Sequence, residues 1–189
     1  AGEGAASLEA YIISKQLLLD MMSSCAAANR YHFHRDAIAD YLASGGRVNV
    51  YFHRGYGRRI MSTEAFFDAN MDMLSAANRT ELFPADRPVR TKTHEDVSTY
   101  YAESSGAHNC LVADGCIIEG EIENCIISSD VRIRNGAKLS GCVIMRGTEV
   151  GEGVIMKNVI ADKQSRVSSF QTIMGSEKLP VVLPKGTKI

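Results

Sequence analysis

Cysteine is the residue type in this sequence whose spacing first suggests chemistry. Cys110, Cys125 and Cys142 recur 15 and 17 residues apart, and each is followed by two aliphatic residues. None of the five cysteines forms a CxxC pair, and their odd number argues against a complete disulfide framework. At a repeated position, cysteine acts as a small apolar residue. We therefore predict buried, reduced thiols in a cytosolic protein.

Histidine is the second residue type that could do chemistry. His32 and His34 flank Phe33 at the start of a predicted helix. A zinc site takes further ligands at a recognisable spacing, and this pair has none. We predict no metal site in this chain.

The cysteines belong to a repeat that predicts the architecture of the second half of the chain. Three aliphatic columns recur: Val112, Ile127, Ile144 and Ala161; Ile118, Ile133, Val150 and Val167; and Ile122, Leu139 and Met156. Most neighbours are six residues apart, which fits neither the spacing of a helix nor the alternation of a hairpin strand. The period predicts a coil with three flat sides, each a short strand that sends one aliphatic side chain to the axis.

The corners of this predicted coil form columns of their own. They are Asn109, Asn124, Gly141 and Asn158; Gly115, Asp130, Gly147 and Gln164; and Gly136 with Gly153. Glycine and asparagine tolerate the positive φ that tight corners demand. We predict a left-handed parallel β-helix from residue 109 to about 169. The hand comes from the resemblance of the hexads to known examples, because it breaks the usual right-handed crossover rule.

The two ends of the β-helix need covering, since a single coil leaves its apolar interior exposed. Ile173 and Met174 are predicted to begin another coil. A strand between Pro180 and Pro184 is predicted to close the end.

The first half of the chain mixes strand and helix patterns. In chain order the patterns predict a strand, two helices, a strand pair, two helices and a linker: 8–14, 15–31, 34–46, 47–60, 63–74, 78–83 and 87–106. Gly45 ends the second helix, and Ser62 or Thr63 caps the third. So few strands cannot form a balanced α/β layer. We therefore predict the last part of a larger α/β domain at 1–86, a linker at 87–106 and the β-helix at 107–189.

Composition excludes some partners. Lys and Arg total 21, Asp and Glu total 22, and the net charge is −1, which points to neither nucleic acid nor an anionic membrane. No apolar run is long enough to cross a bilayer, and the N-terminus does not resemble a signal peptide. We predict a cytoplasmic protein.

The order of several segments resembles a known family. They are SLEAYIIS, FHRDAI, YGRRIMSTEAFFDANMDML, RPVRTK and LVADGCIIEGEIENCII. Together they resemble bacterial glucose-1-phosphate adenylyltransferase, also called ADP-glucose pyrophosphorylase. The resemblance implies a nucleotidyltransferase domain joined to a left-handed β-helix in a tetrameric enzyme. It also implies that active members make ADP-glucose from ATP and glucose 1-phosphate for glycogen synthesis, using Mg²⁺.

Two departures from the family pattern bear on activity. Where the family carries the metal-binding aspartate of its Tyr-Trp-Arg-Asp segment, this sequence has Arg59, and a guanidinium cannot ligate Mg²⁺. Ser7 matches a serine that approaches glucose 1-phosphate, but Glu9 follows it and would repel a phosphate. The family's nucleotide loop and catalytic basic residues would lie before residue 1. These features resemble the non-catalytic D-type subunit, which modulates a catalytic partner and implies no catalytic residue or cofactor here.

Three other functions are alternatives to that one. The chain could be part of a catalytic subunit, or a structural module for assembly. A hexapeptide acyltransferase would need a histidine base in the repeat, and no histidine follows His108.

A phosphorylated effector is a further expected partner. The candidate anion contacts are Arg87, Arg90, Lys92, Lys178 and Lys185. The alternative for these residues is solvated surface charge.

Overall fold

The computed structural model describes residues 7–91 and 96–189. They form two compact units, Ala1–Gly57 and Arg58–Ile189. The domain limits predicted from the sequence stay a prediction. No helix of the described residues is long and apolar enough to cross a membrane.

Three flat parallel sheets form the second unit, and we call them faces A, B and C. Face A contains β1 Tyr100–Tyr101, β4 Ile117–Ile118, β7 Arg132–Ile133, β10 Glu149–Val150 and β13 Arg166–Val167. Face B contains β2 Gly106–His108, β5 Glu121–Glu123, β8 Lys138–Ser140, β11 Ile155–Lys157 and β14 Thr172–Met174. Face C contains β3 Leu111–Val112, β6 Ile126–Ile127, β9 Val143–Ile144, β12 Val159–Ala161 and β15 Val181–Leu183. Each strand pairs with its equivalents one coil away, so the predicted parallel β-helix is confirmed. It begins at Tyr100, inside the segment predicted as a linker.

The predicted aliphatic columns are register partners in the three sheets. On face A, Ile133 pairs with both Ile118 and Val150. On face B, Leu139 pairs with Ile122 and Met156. All six side chains are buried. Because successive strand residues point to opposite sides, their neighbours in the chain face outward.

The corners have the predicted backbone conformation. Every residue of the three predicted corner columns has a positive φ, from 49° at Asn109 to 76° at Gly115. Asparagine side chains also join the corners, since Asn109 Nδ2 donates to Asn124 Oδ1 at 2.7 Å. The corner column of Gly136 and Gly153 continues at Phe170, whose φ is 63°. The columns predicted from the sequence did not include Phe170. A phenylalanine in this region is strained, because the left-handed conformation brings Cβ close to a carbonyl oxygen.

The C-terminal tail covers the last coil. Strand β14, which contains Ile173 and Met174, pairs with β11 and begins another coil as predicted. Strand β15, between Pro180 and Pro184, pairs with β12 as predicted. The last residues add to face A, where the N–H of Arg166 donates to the carbonyl of Thr187 at 2.7 Å. The N–H of Ile189 in turn donates to the carbonyl of Arg166 at 3.1 Å.

The first unit is helical in its described residues. Helix α1 spans Lys15–Ala27, and a π-helical turn at Phe33–Ala37 leads into α2, Ile38–Ala43. Met21, Cys25 and Ala37 form its buried core. The helices predicted at 15–31 and 34–46 are therefore confirmed.

The strands predicted at 8–14 and 47–60 are wrong for the described residues, which are irregular there. The alternating pattern is present, but a strand must pair its backbone groups with a neighbour. No neighbouring strand lies within the described part of this unit. An isolated strand is not stable in water.

Two helices precede the β-helix within the second unit. Helix α3 spans Thr63–Met71, and Ser62 caps it, since its Oγ accepts from the N–H of Ala65 at 3.0 Å. A 3₁₀ turn, Asp72–Leu74, leads into α4, Ala76–Leu82. The predicted cap and both predicted helices are confirmed.

The first prediction concerns the axis. Ile133→Asp is expected to abolish the cooperative unfolding transition of the β-helix, because an unpaired carboxylate would be buried among aliphatic side chains. Ile155→Asp is the matched control, since Ile155 points outward from face B, and its melting temperature is expected to stay close to that of the wild type. Thermal unfolding followed by circular dichroism measures both. A native melting temperature for Ile133→Asp would contradict the register.

The second prediction concerns the corner at Gly153, whose φ is 62°. An added Cβ would lie 2.7 Å from Cδ1 of Phe170. Gly153→Ala is expected to lower the free energy of unfolding by about 1–2 kcal/mol from the backbone alone, and further because the ring must move. Urea unfolding measures the change. In a Phe170→Gly background the loss is expected to be smaller, and an equal loss in both backgrounds would contradict the contact.

Candidate functional site

The segment before α3 carries Arg58 and Arg59. The assignment of Arg59 to the position of a lost metal ligand stays a prediction. Arg58 Nε donates to Asp72 Oδ2 at 2.7 Å, and Arg58 Nη1 donates to Asp68 Oδ2 at 3.2 Å. Asp68 lies on α3 and Asp72 in the turn after it, so these bonds tie the segment to the helix. Arg59 is exposed beside them. The structure therefore places cations at this position, with the adjacent carboxylates held by Arg58.

No group of three or more His, Cys, Asp or Glu side chains in 7–91 and 96–189 could hold a metal ion. The expectation that this chain binds no metal stays a prediction.

Ser7 lies in the first unit and is exposed. Its Oγ accepts a hydrogen bond from the N–H of Glu9 at 3.1 Å. Glu9 itself has a φ of 56°. A local turn therefore holds the serine hydroxyl beside the residue whose carboxylate would repel a phosphate. Its role in binding sugar phosphate stays a prediction.

Four of the candidate anion contacts lie within the described residues, and all four are exposed: Arg87, Arg90, Lys178 and Lys185. No hydrogen bond or ion pair joins any of these four to another of them. Arg87 lies 3.8 Å from Asp86. Lys178 and Lys185 lie on either side of β15 at the closing end of the β-helix. Lys92 lies outside the described residues. Their role as an effector site stays a prediction.

The thiols form a column inside the β-helix. The N–H of Cys125 donates to the sulfur of Cys110, and the N–H of Cys142 donates to the sulfur of Cys125, both at 3.4 Å. Cys125 and Cys142 are buried and Cys110 is half-buried, all as free thiols. The prediction of buried thiols as packing residues is confirmed for this column.

The environment of the column favours protonated sulfur at its first two positions. The hydrogen bond between the Cys110 and Cys125 thiols, together with burial, holds the pKa of Cys110 well above its usual range. That hydrogen bond lowers the pKa of Cys125, but the Cys142 thiol and burial outweigh it and raise the pKa to about 12. Thiolate is the reactive form of cysteine, so these two positions are poor nucleophiles.

Face A carries a ladder of charges that the sequence analysis missed. Arg134 lies between Glu119 and Glu149, at 3.9 and 3.1 Å, and Arg166 lies 3.2 Å from Glu149. The hydrogen bond from Arg134 and the charge of Arg166 lower the pKa of Glu149, against an opposing effect of burial. The sequence contains a signal for this ladder, because its charged residues recur with the period of the coil at outward positions. The ladder joins neighbouring coils and carries no feature of catalysis.

Face C is covered on its outer side by α3, a second feature that the sequence analysis did not place. Phe67 is buried against Val143 and Ile160, with Phe66 and Met71 packed around them. Each of the repeated aliphatic pairs sends its first residue outward to this face and its second to the axis. The doubled aliphatic residues were therefore a signal for a covered outer face.

Histidine is scarce in the β-helix. His108 is the one histidine in residues 96–189, and it lies exposed at the end of strand β2. Later coils supply no histidine base for acyl transfer.

Comparison with known proteins defines the class of the second half of the chain. Residues 93–178 match a family model described as GlmU-like, C-terminal hexapeptide. This match agrees with the hexad columns and with the three-sided coil. Much of the second unit is thus a hexapeptide-repeat domain.

Most of the chain is similar to a protein named for glycogen biosynthesis and to glucose-1-phosphate adenylyltransferases. It is 32% identical over 180 residues to the glycogen biosynthesis protein GlgD of Bacillus subtilis, covering 95% of this chain and 52% of that protein. It is 28% identical over 183 residues to a glucose-1-phosphate adenylyltransferase of Corynebacterium jeikeium, covering 89% and 45%. The one from Fusobacterium nucleatum is 36% identical over 109 residues, covering 57% and 28%. The resemblance is confirmed: the chain is a relative of GlgD and of the glucose-1-phosphate adenylyltransferases, and it spans about half the length of the first two.

A third prediction follows from the thiol column. At pH 9.0, the usual thiol pKa, Cys110 and Cys125 are expected to resist iodoacetamide in the native chain, because their raised pKa values keep them protonated. Mass spectrometry of the alkylated chain measures this, and denatured chain is the control in which all five thiols react. Fast native alkylation of either residue would contradict the prediction.

The same shifts predict a loss of stability in alkali. Between pH 9.0 and about 12 the unfolded Cys125 thiol ionises while the folded thiol keeps its proton. The unfolded state then binds fewer protons, so stability falls as pH rises.

Proposed function

We propose that this chain is part of a non-catalytic, D-type subunit of glucose-1-phosphate adenylyltransferase, acting in glycogen biosynthesis. The observation that carries the proposal is the similarity to GlgD along 95% of the chain, combined with Arg59 at the carboxylate position. The fold supports it, because the β-helix contains columns for packing and corners and no chemical cluster among its described residues.

The chemistry of residues 58–72 supports an inactive site. Phosphoryl-type transfer relies on a metal ion to neutralise developing charge. Arg59 supplies a positive charge instead of a ligand, and the nearby carboxylates Asp68 and Asp72 already accept hydrogen bonds from Arg58. A substitute metal site would have to break those ion pairs. We therefore propose that neither Mg²⁺ nor ATP is bound for catalysis by this chain.

The proposed subunit works through partners. It would assemble with a catalytic subunit or with further copies of itself, in a tetramer, and change the response of the assembly to a phosphorylated metabolite. The candidate anion contacts Lys178 and Lys185 lie before and after strand β15 in the chain. The proposal places the protein in the cytoplasm, where its five free thiols stay reduced.

A second candidate function is a structural module for assembly. It is favoured by the charge ladder on face A and the covered face C, which strengthen the fold without serving chemistry. A third candidate is that the chain is part of a catalytic subunit. The three candidate functions predict different effects of the protein on ADP-glucose synthesis, so an enzyme assay can distinguish them.

The fourth prediction tests the proposal by enzyme assay. Neither this chain nor a full-length subunit that contains it is expected to form ADP-glucose from ATP, glucose 1-phosphate and Mg²⁺, because Arg59 replaces a metal ligand. Added to a catalytic glucose-1-phosphate adenylyltransferase subunit, the full-length protein is expected to change the rate or effector response severalfold. Coupled release of pyrophosphate measures both.

Each outcome separates the candidates. Turnover by the protein alone would establish the catalytic alternative and refute the proposal. Co-assembly without a kinetic change would favour the structural module. Full-length protein carrying Ile133→Asp is the control, and it is expected to lose the effect because its β-helix does not fold.

A further inference from the structure

Face B has exposed outward side chains on all five of its strands or beside them, and no described helix of the second unit is packed on it as α3 is on face C. Its strands line a shallow groove of about 610 Å³, from Gly106 to Met174. Two apolar side chains in this groove are exposed, Ile155 by 41% and Met174 by 61%. On face C, α3 covers the equivalent apolar positions. Face B therefore combines a flat shape and exposed apolar groups with the charges described next.

The charges of face B are arranged symmetrically about its central strand, β8. Glu121 and Lys138 neutralise each other at 3.2 Å. Glu123 and Lys157 both pair in register with Ser140, one from each side. Two strand spacings, roughly 10 Å, separate them, which is too far for an ion pair within one chain.

Glu123 and Lys157 thus lack an ion-pair partner within the described residues. Both side chains are exposed, and they carry opposite charge at equal distances from Ser140. A rotation of 180° about the direction of β8 exchanges the two positions. At these two positions the face is therefore complementary to its own rotated copy, as an isologous interface requires. The same rotation brings Glu121 opposite Ile155.

We propose that face B binds face B of a second copy of this chain, with the coils stacked in opposite directions. Each dimer then contains two Glu123–Lys157 ion pairs between the copies. His108 comes opposite Met174. Lys138 meets its own copy at the centre, where Glu121 of the same chain balances its charge.

Charge disfavours the reverse arrangement. If the coils of the two copies ran in the same direction, each strand would meet its own copy. Glu121 of one copy would then lie opposite Glu123 of the other, and like charges in contact are unfavourable. The antiparallel arrangement avoids this.

The size of the face indicates a weak dimer. Five strands at the spacing of a sheet span roughly 20–25 Å, and the strands are two or three residues wide. Such an area is at or below the low end of specific interfaces, so association in the micromolar range or weaker is expected. This inference goes beyond the proposed function and does not depend on it, because it needs no activity.

Sedimentation velocity tests the proposal on the 189-residue chain, from low micromolar to several hundred micromolar. The wild type is expected to self-associate, and more weakly at high salt, because ion pairs are screened. Glu123→Lys and Lys157→Glu are each expected to weaken the dimer at least tenfold, since each places like charges opposite one another. Lys163→Glu is the matched control on the corner between faces C and A, and it is expected to leave the dimer unchanged.

Complementation gives the decisive result. An equimolar mixture of Glu123→Lys and Lys157→Glu is expected to associate as the wild type does, because both ion pairs form again in the mixed dimer. The double variant is expected to associate with itself for the same reason. Circular dichroism confirms that each variant is folded. A wild type that stays monomeric, single variants that dimerise normally, or a mixture that fails to associate would each overturn the proposal.

Discussion

Burial of one aliphatic side chain per strand on a shared axis is the interaction on which the second unit depends. Its strands have two or three residues and none could persist alone. Ile133, Val150 and their column partners become buried only when the next coil stacks above them. Each coil therefore needs its neighbours, and the tail that covers the last one is part of the same requirement.

The axis also explains which features of the fold could be predicted. Columns repeat at fixed intervals, so the aliphatic register and the positive-φ corners were visible in the sequence alone. The strands at 8–14 and 47–60 were not correctly predicted, because an alternating pattern says nothing about whether a pairing partner is present. Phe170 was missed for another reason, since a bulky residue with φ 63° contradicts the usual preference for glycine.

The candidate site was only partly predictable. The substitution at Arg59 could be seen by resemblance, but its surroundings could not, because Asp68 and Asp72 reach Arg58 across ten and fourteen residues. The packing of α3 on face C joins segments that are still further apart in the chain. An anion site needs its cationic side chains close together in space. Positions in a linker and a tail do not reveal from the sequence whether those side chains come together.

The three-sided shape separates tasks that most folds combine. Face A holds charge pairs, face C supports a helix, and face B presents exposed charged and apolar side chains, while all three share the same axis and corners. An outward residue on one side has almost no contact with the other two. Each side can therefore accumulate substitutions at its own pace, so a lineage could lose one binding surface or acquire another without redesigning the interior.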